Sequence, residues 1–216
     1  QTSPGMRRPR YLCRQKWVLA STSWHKRLVC IYGESMKTII LSLFLMFGMI
    51  FSASAEDALS VPPQEVWSFV QEHPDELLFV DIRDPIEIMF VGFTDAVDIN
   101  IPFKVANRTQ FNESKGSFAM QSNPEFVNEI EKALEAKGLD KDSLIVTMCR
   151  SGSERGKPSA DYLLSQGFSN VKYIDHGFQG SAVKEGKMKG FRIVNGWQNA
   201  GLPWSSTINA NKISKP

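Results

Sequence analysis

The sequence predicts an α/β protein with a mostly parallel central sheet and helices on both faces. Short apolar runs typical of buried strands alternate with longer segments whose apolar residues recur at helical spacing. Strands joined through helices form parallel sheets, because each connection must cross the sheet before the next strand begins. The chain has 216 residues, of which 42% are hydrophobic and 22% are charged. This composition and the extent of the alternation predict one globular domain over residues 56–205.

The first 55 residues differ from the rest of the chain and predict export. Residues 1–35 are basic and lack periodicity, so we expect them to be a non-native upstream extension. Residues 36–55 combine a short basic start, an apolar run and an Ala-x-Ala ending, which is typical of a secretory signal peptide. Cleavage after Ala55 would give a periplasmic or secreted protein without stable membrane association. An uncleaved membrane anchor is the alternative.

Export also decides how many cysteines the protein keeps. Cleavage would remove Cys13 and Cys30 and leave Cys149 alone, so that no internal disulfide is possible. A single thiol in an oxidising compartment is expected to be buried or used in chemistry. Residues 56–216 carry 17 Lys/Arg against 22 Asp/Glu, and this net-acidic balance argues against nucleic-acid binding.

The predicted domain begins with a helix and two strands. Ser60 is expected to cap the helix, whose apolar residues share one face, and Trp67 is expected in the core. Residues 77–83 and 96–102 are predicted strands, with a short helix or loop over 86–90 between them.

A polar excursion and the clearest helix follow. Residues 103–123 are predicted to be a long surface loop, and they contain two Asn-x-Ser/Thr sequons. Asn123 is expected to cap a helix that ends at Gly138, with proline at its first position. Its predicted buried stripe consists of Phe126, Val127, Ile130 and Leu134.

The last third of the domain repeats the alternation. A strand over 144–148 precedes a polar loop and a helix that runs to Gln166, and 171–175 is another strand. Residues 181–190 are expected to be exposed. Trp197 and Trp204 are expected to complete the core, and the polar tail 206–216 is expected to be frayed.

The candidate site lies where the strand over 144–148 meets the following helix. Cys149 stands at this junction, where backbone N–H groups and the helix dipole favour an anion and a thiolate. Arg150 and Arg155 add positive charge in the same turn. We therefore predict that Cys149 is a nucleophile and that an anion binds over it. The predicted anion-binding residues are Arg150, Ser151, Gly152, Ser153, Glu154 and Arg155.

Several segments together resemble one known family. They are residues 80–87, 98–102, 149–152, 167–171 and 201–204, and the third of them has the sequence Cys-Arg-Ser-Gly. In this combination they are similar to the landmarks of rhodanese domains, over roughly residues 60–205. The resemblance implies a sulfurtransferase in which Cys149 takes a sulfane sulfur from a small anionic donor such as thiosulfate. A thiol or another thiophilic acceptor would then remove the sulfur from the persulfide. The resemblance implies no metal and no organic cofactor.

The spacing of the active-site loop departs from the sulfurtransferase pattern. Glu154 occupies the fifth place after the cysteine, and the arginine comes one residue later, which gives Cys-x5-Arg. This spacing resembles dual-specificity phosphatases and arsenate reductases of the same fold, although Met148 replaces the histidine that such phosphatases place before the cysteine. A non-enzymatic sulfur carrier is a third possibility. A second departure is Phe93-Thr94 in place of His-Ile.

Four further side chains near the motifs have competing interpretations. Glu154 is either a general acid or an acid favoured by the first turn of a helix. Arg83 and Glu87 are expected to pair with each other at i,i+4 spacing rather than contact substrate. His176 is expected to be a solvated or core residue, since no spacing typical of metal ligands is present.

Overall fold

A computed structural model describes residues 57–214, so the predicted signal peptide and upstream extension lie outside the described residues. Four helices and seven strands form within this range, and none of these helices has the length and apolar character needed to cross a bilayer. In chain order the elements are β1 (Ser60–Val61), α1 (Pro63–Glu72), β2 (Leu77–Asp81), α2 (Pro85–Val91), β3 (Ile99–Asn100), β4 (Lys104–Asn112), β5 (Ser117–Ser122), α3 (Phe126–Lys137), β6 (Leu144–Met148), α4 (Gly156–Ser165) and β7 (Val171–Ile174).

The central sheet has five parallel strands in the order β1-β7-β6-β2-β3. Alternate residues of β2 enter different apolar clusters, because successive side chains of a strand point to opposite faces. Leu78 and Val80 pack with residues of α3 and α4, whereas Leu77 and Phe79 pack with residues of α1 and α2. The predicted α/β class, with a parallel central sheet and helices on both faces, is confirmed.

The carboxyl ends of β2, β6 and β7 lie at the same edge of the sheet, since the three strands are parallel neighbours. Open α/β sheets bind ligands outside this edge. The loop that contains Cys149 follows β6, a polar turn follows β7, and α2 begins shortly after β2. The fold therefore surrounds the cysteine with residues from three separate parts of the chain.

The polar excursion 103–123 is not the long loop that its composition predicts. It forms an antiparallel hairpin of β4 and β5, which pairs Lys104 with Ser122 and Phe111 with Phe118. The side-chain carboxylate of Asp84 joins the hairpin to α2 by accepting from Ala106 N at 2.7 Å and from Ile86 N at 2.8 Å. The sequence contains no strand signal here, because much of the hairpin is exposed on both faces. Strands exposed on both faces do not need alternating apolar and polar residues.

Both ends of the domain differ from the predictions. Ser60 caps no helix: it lies in β1 and pairs with Tyr173 of β7, and Pro62 precedes α1 instead. The tail is not frayed, since the backbone carbonyl of Lys212 accepts from Asn100 N at 2.6 Å and Ile213 packs against the core. The predicted strand over 96–102 shortens to Ile99–Asn100.

The helix caps and tryptophans agree with the predictions in part. Gly138 ends α3 in the left-handed conformation, as expected, but the helix begins at Phe126 rather than directly after Asn123. Trp197 is fully buried and completes the core. Trp204 is 45% exposed, so the prediction that it lies in the core was wrong. Trp67 is half-buried and packs edge-on against Trp197.

Candidate active site

Cys149 lies directly after β6, and its side chain is 1% exposed. Its Sγ accepts a hydrogen bond from the backbone N–H of Gly152 at 3.1 Å. A loop amide that donates to sulfur stabilises negative charge there and holds the side chain in one orientation. Beneath the loop, the hydroxyls of Thr147 and Ser159 lie 3.1 Å apart and join β6 to α4.

The turn after β7 fixes the backbone on which the cysteine stands. Phe178 N donates to Cys149 O at 2.7 Å, and Gln179 N donates to Arg150 O at 2.9 Å. Gly177 approaches so closely that an added Cβ would lie 2.3 Å from Cys149 O, and its φ of 59° is left-handed. Only glycine meets both requirements, so this turn is a rigid support for Cys149.

Two further glycines determine the space around the sulfur. Gly152 has φ 79°, and an added Cβ would lie 2.8 Å from His176 N, so the loop turns back tightly against the end of β7. At Gly156 an added Cβ would lie 3.5 Å from Cys149 Sγ and 3.0 Å from the ring of Tyr173. The missing side chain at position 156 therefore leaves room beside the thiol at the start of α4.

Arg155 is held by Glu87 of α2 in a two-pronged ion pair. The two terminal nitrogens of the guanidinium donate to the two carboxylate oxygens at 2.7 and 2.9 Å, and the side chains are 12% and 18% exposed. Burial by itself lowers the pKa of Arg155, but Glu87, and to a smaller extent Cys149, raise it overall. The loop therefore keeps a fixed positive charge close to the sulfur.

The predicted pairing of Arg83 with Glu87 was wrong. Arg83 is fully buried and instead binds Asp81, with Nε to Oδ1 at 2.9 Å and Nη2 to Oδ2 at 2.5 Å. It also donates to the carbonyl of Gly92 and lies over the ring of Phe178 at 4.1 Å. Because Arg83 serves the fold beneath the site, Glu87 is free to position Arg155.

Arg150 is the second cation of the loop, and its Nε donates to Gln179 Oε1 at 2.9 Å. Burial lowers the pKa of Arg150, and repulsion from Arg192 and Arg155 adds to this effect, against the attraction of Glu87. Its partly buried guanidinium therefore lies among other positive charges. Such a cluster favours an anionic ligand, which would relieve the repulsion.

The remaining predicted residues lie on the outer side of the loop. Glu154 is exposed and forms an ion pair of 3.1 Å with Lys115, which lies in the turn of the β4–β5 hairpin. The sequence suggested either a general acid or an acid in the first turn of a helix, and neither interpretation includes this contact. Glu154 also lies before the first helical residue of α4, Gly156. Ser151 and Ser153 lie side by side, with their hydroxyls 3.3 Å apart.

A cleft of about 580 Å³ opens beside the loop on the side of β7. Ser151, Gly152 and Ser153 form one wall of this cleft. His176 lies at the cleft with φ 58° and is 3.1 Å from Asp175, so it is a partly exposed residue at the rim of the site. Lys157, Lys184 and Arg192 bring positive charge to the cleft. Within residues 57–214, no group of three or more His, Cys, Asp or Glu side chains is arranged to hold a metal ion.

The structure joins Gly152 to the sulfur of Cys149 by a hydrogen bond, holds Arg155 on Glu87 and holds Arg150 on Gln179. The sequence singled out Glu87 but assigned it to Arg83, whereas Gln179 and Lys115 were missed; all three hold loop residues from other elements. A local sequence pattern gives no signal for such contacts, since Glu87 and Arg155 are 68 positions apart.

Comparison with known proteins identifies the class to which this fold and loop belong. Residues 63–183 match the model of the rhodanese-like domain, so the chain belongs to the rhodanese-like domain family. This match spans more than half of the 216 residues and includes the whole active-site loop. No curated protein gives a significant match to the sequence.

One solved structure supports the same fold, and others match with lower similarity. The crystal structure of Rv0390 from M. tuberculosis is 22% identical with a TM-score of 0.51, and the match covers 68% of this chain and 97% of that one. A full-length protein from Lactobacillus plantarum matches at 15% identity, with a TM-score of 0.42 and coverage of 80% and 98%. The polysulfide-sulfur transferase homodimer of Wolinella succinogenes matches at 21% identity, with a TM-score of 0.37 and coverage of 68% and 77%.

Proposed function

We propose that this protein is a sulfurtransferase that carries a sulfane sulfur as a persulfide on Cys149. The observation that supports this most directly is the setting of the Sγ atom, which accepts the Gly152 N–H at 3.1 Å at the junction of β6 and α4. Membership of the rhodanese-like family supports the same chemistry. An export signal, as the sequence predicts, would make the reaction periplasmic or extracellular.

The reaction balances with thiosulfate as donor. The Cys149 thiolate attacks the outer sulfur of thiosulfate, a new S–S bond forms, and sulfite departs with the electron pair of the broken bond. The terminal sulfur of the persulfide then carries the negative charge, and the loop amides and Arg155 are the groups available to stabilise it. An acceptor such as cyanide or a thiolate attacks that sulfur and regenerates the Cys149 thiolate.

A phosphatase or arsenate reductase is the second candidate, and the Cys-x5-Arg spacing favours it. Arg155 follows Cys149 in the same loop and is held by Glu87 at 2.7 and 2.9 Å, so a fixed guanidinium is available to bind an oxyanion. In that reaction the thiolate would attack phosphorus or arsenic. Cys149 is the one cysteine within residues 57–214, so an external thiol would have to resolve an arsenylated enzyme.

Intact-mass spectrometry tests the proposal directly. The protein is purified from an export-competent host, reduced, treated with thiosulfate, and then treated with cyanide. We expect a gain of about 32 Da, the mass of one sulfur atom, followed by its loss with formation of thiocyanate. The Cys149→Ser variant should gain nothing. A chain in which Cys13 and Cys30 are replaced with serine is the matched control and should gain the sulfur normally.

The other outcomes distinguish the alternatives. A free and reactive Cys149 thiol that takes no sulfur from thiosulfate or from polysulfide would overturn the proposal. Turnover of an aryl phosphate or of arsenate would then favour the second candidate. Stoichiometric sulfur loading without repeated thiocyanate formation would instead indicate a sulfur carrier whose partner completes the transfer.

A further inference from the structure

Residues 181–194, which we call the tongue, form a folded surface segment between the turn after β7 and the buried Trp197. The tongue contains no helix or strand, and most of its side chains from position 184 onward are exposed. It closes on itself through Val183 N to Phe191 O at 2.8 Å and Gly190 N to Val183 O at 2.9 Å. Its base is fixed by Ser181 N, which donates to Asn195 Oδ1 at 2.7 Å.

The tongue presents large apolar side chains to solvent. Phe191 and Val194 are each 57% exposed, Ile193 is 52% exposed and Met188 is 44% exposed. Four such residues within seven consecutive positions are unusual for a surface that faces only water. The closure of the tongue on its own backbone keeps these side chains out of the two apolar clusters of the domain.

The same segment carries a local excess of positive charge. Its charged residues are one acid, Glu185, and four cations, Lys184, Lys187, Lys189 and Arg192. The rest of the described chain carries 12 Lys/Arg against 20 Asp/Glu. The tongue is therefore a basic segment on an acidic body. An anionic surface would attract the tongue and repel the remainder of the domain, which would then face away from it.

We propose that the tongue docks reversibly on an anionic lipid surface. Exposed Phe, Ile, Val and Met side chains enter the boundary between headgroups and acyl chains, while adjacent lysines remain at the level of the phosphates. Each Lys or Arg near an anionic leaflet adds to the affinity, and the effect falls off within a Debye length. The tongue contains both apolar and cationic residues, so both apolar insertion and electrostatic attraction would contribute to binding.

The composition favours lipid over an acidic protein partner. Three of the four cations are lysines, which are depleted in protein interfaces but serve well at membrane surfaces, where specific geometry is not required. The tongue is largely exposed and has no helix or strand that could pair with a partner. A lipid surface requires neither a groove nor a matched shape, so the absence of a helix or strand in the tongue does not argue against lipid binding.

This inference does not depend on sulfur transfer, and it differs from the sequence-based expectation of no stable membrane association. That expectation concerned residues 36–55, whereas docking through the tongue is peripheral and sensitive to salt. Lys184 and Arg192 also line the cleft beside the active-site loop. Docking would therefore hold this cleft close to the lipid surface.

A fluorophore on the tongue tests the proposal without interference from the apolar N-terminal segment. Met188→Cys is labelled with an environment-sensitive dye in a full chain whose three native cysteines are replaced with serine. Vesicles of phosphatidylglycerol and phosphatidylcholine should shift the emission to the blue, whereas pure phosphatidylcholine should not. The shift should disappear in about 1 M salt, where the Debye length falls to roughly 3 Å. The same dye at Ala136→Cys on α3 should not respond.

Matched substitutions in the labelled chain identify the residues that bind. Lys187→Glu should weaken vesicle binding by at least fivefold, since roughly this factor corresponds to one cation near an anionic leaflet. Phe191→Ser should weaken it by roughly tenfold or more through lost burial. Lys132→Glu on α3 makes the same change of charge away from the tongue and should leave the affinity within about twofold.

Two outcomes would overturn the proposal. The first is the absence of any emission change with anionic vesicles. The second is a change that Lys187→Glu and Lys132→Glu reduce equally, which would indicate attraction by overall charge and not by the tongue. An emission shift produced by an acidic soluble protein and not by vesicles would assign the tongue to a protein partner instead.

Discussion

At the scale of single residues, the site depends as much on glycines, which have no side chain, as on the reactive side chains. Cys149 requires Gly177 beneath its carbonyl and Gly156 beside its sulfur, because any Cβ at these places meets backbone or ring atoms. If Cys149 carries a second sulfur, as we propose, that sulfur needs free space on one side, and Gly156 leaves such space at the start of α4.

Gly156→Ala is expected to impair sulfur loading more than folding. The new methyl group would lie 3.5 Å from Sγ, an ordinary contact, and 3.0 Å from the Tyr173 ring, which has to shift. We expect the rate of persulfide formation to fall at least tenfold, while the free energy of unfolding changes by about 1–2 kcal/mol from overpacking. Stopped-flow loading with thiosulfate and urea denaturation measure the two effects.

Ser165→Ala is the control for Gly156→Ala, because Ser165 is exposed at the other end of α4 and does not line the cleft. Loading at the wild-type rate in Gly156→Ala would refute the role of this space. A loss of loading that only accompanies global unfolding would refute it as well.

At the scale of elements, two carboxylates from different elements hold the same loop in different ways. Glu87 of α2 binds Arg155 with both oxygens in a mostly buried pair, whereas Glu154 of the loop meets Lys115 of the hairpin in solvent. Buried pairs are costly to break from one side, and exposed pairs contribute little. The ion pair with α2 therefore stabilises the position of the loop, whereas the exposed ion pair with the hairpin contributes little to it.

Glu87→Gln and Glu154→Gln form a matched pair of substitutions that tests this difference. Glu87→Gln should reduce the free energy of unfolding by about 2–3 kcal/mol, because Arg155 would keep a partly buried charge without its partner. Glu154→Gln should change it by less than about 1 kcal/mol. Urea denaturation measures both, and similar values for the two variants would contradict the assignment of α2 as the fixing element.

The sulfur-loading rate of the same two variants decides the role of Glu154. If this residue is only the partner of Lys115, Glu154→Gln should load and release sulfur within about threefold of the wild-type rate. A large loss together with an altered pH profile would restore the general-acid interpretation.

At the scale of the whole molecule, Asp57 ties the start of the described chain to the sheet and to α4. Its carboxylate accepts from Leu59 N at 3.1 Å, pairs with Lys157 at 3.0 Å and meets Tyr173 Oη at 3.3 Å. The Leu59 N–H and then the Lys157 ammonium hold the pKa of Asp57 below its usual value. This cluster secures the edge strand β1 against β7.

Asp57→Asn is expected to remove a small contribution to stability that depends on pH. A carboxyl whose pKa is lowered by folding stabilises the native state above its unfolded pKa of about 3.9, and the effect is lost as pH falls through the folded value. The variant should therefore be less stable than the wild type at neutral pH, and the difference should shrink below about pH 3.5. Urea midpoints across this range measure it.

Asp75→Asn provides the comparison for Asp57→Asn, since Asp75 is an exposed acid in the turn before β2. A deficit of Asp57→Asn that is constant from neutral to acid conditions would show that the side chain acts by shape and not by charge.

The sequence predicted the parts of the molecule whose determinants are local. The strand over 144–148, the stripe of Phe126, Ile130 and Leu134, and the position of Cys149 all follow from periodicity and turn chemistry. These signals lie within a few residues of the feature that they determine.

The remaining features depend on contacts between distant segments. Arg83 pairs with Asp81 instead of Glu87 because α2 does not begin until Pro85, so the two residues expected to pair do not share a helix. The hairpin of β4 and β5 and the packed tail at Lys212 likewise depend on partners far away in sequence. Periodicity and turn signals within a few residues do not indicate which distant segment a residue will contact.

The burial of Cys149 is also expected to affect which sulfur compounds react, whatever their charge. Cys149 is 1% exposed and its sulfur accepts the Gly152 N–H, so little of the sulfur faces solvent. We expect a sulfur with a substituent on each side, as in an organic disulfide, to react more slowly than a sulfur that ends its molecule, because the two-sided reactant displaces more of the packed surroundings. The loop would thus select its reactant by the number of groups bonded to the attacked sulfur.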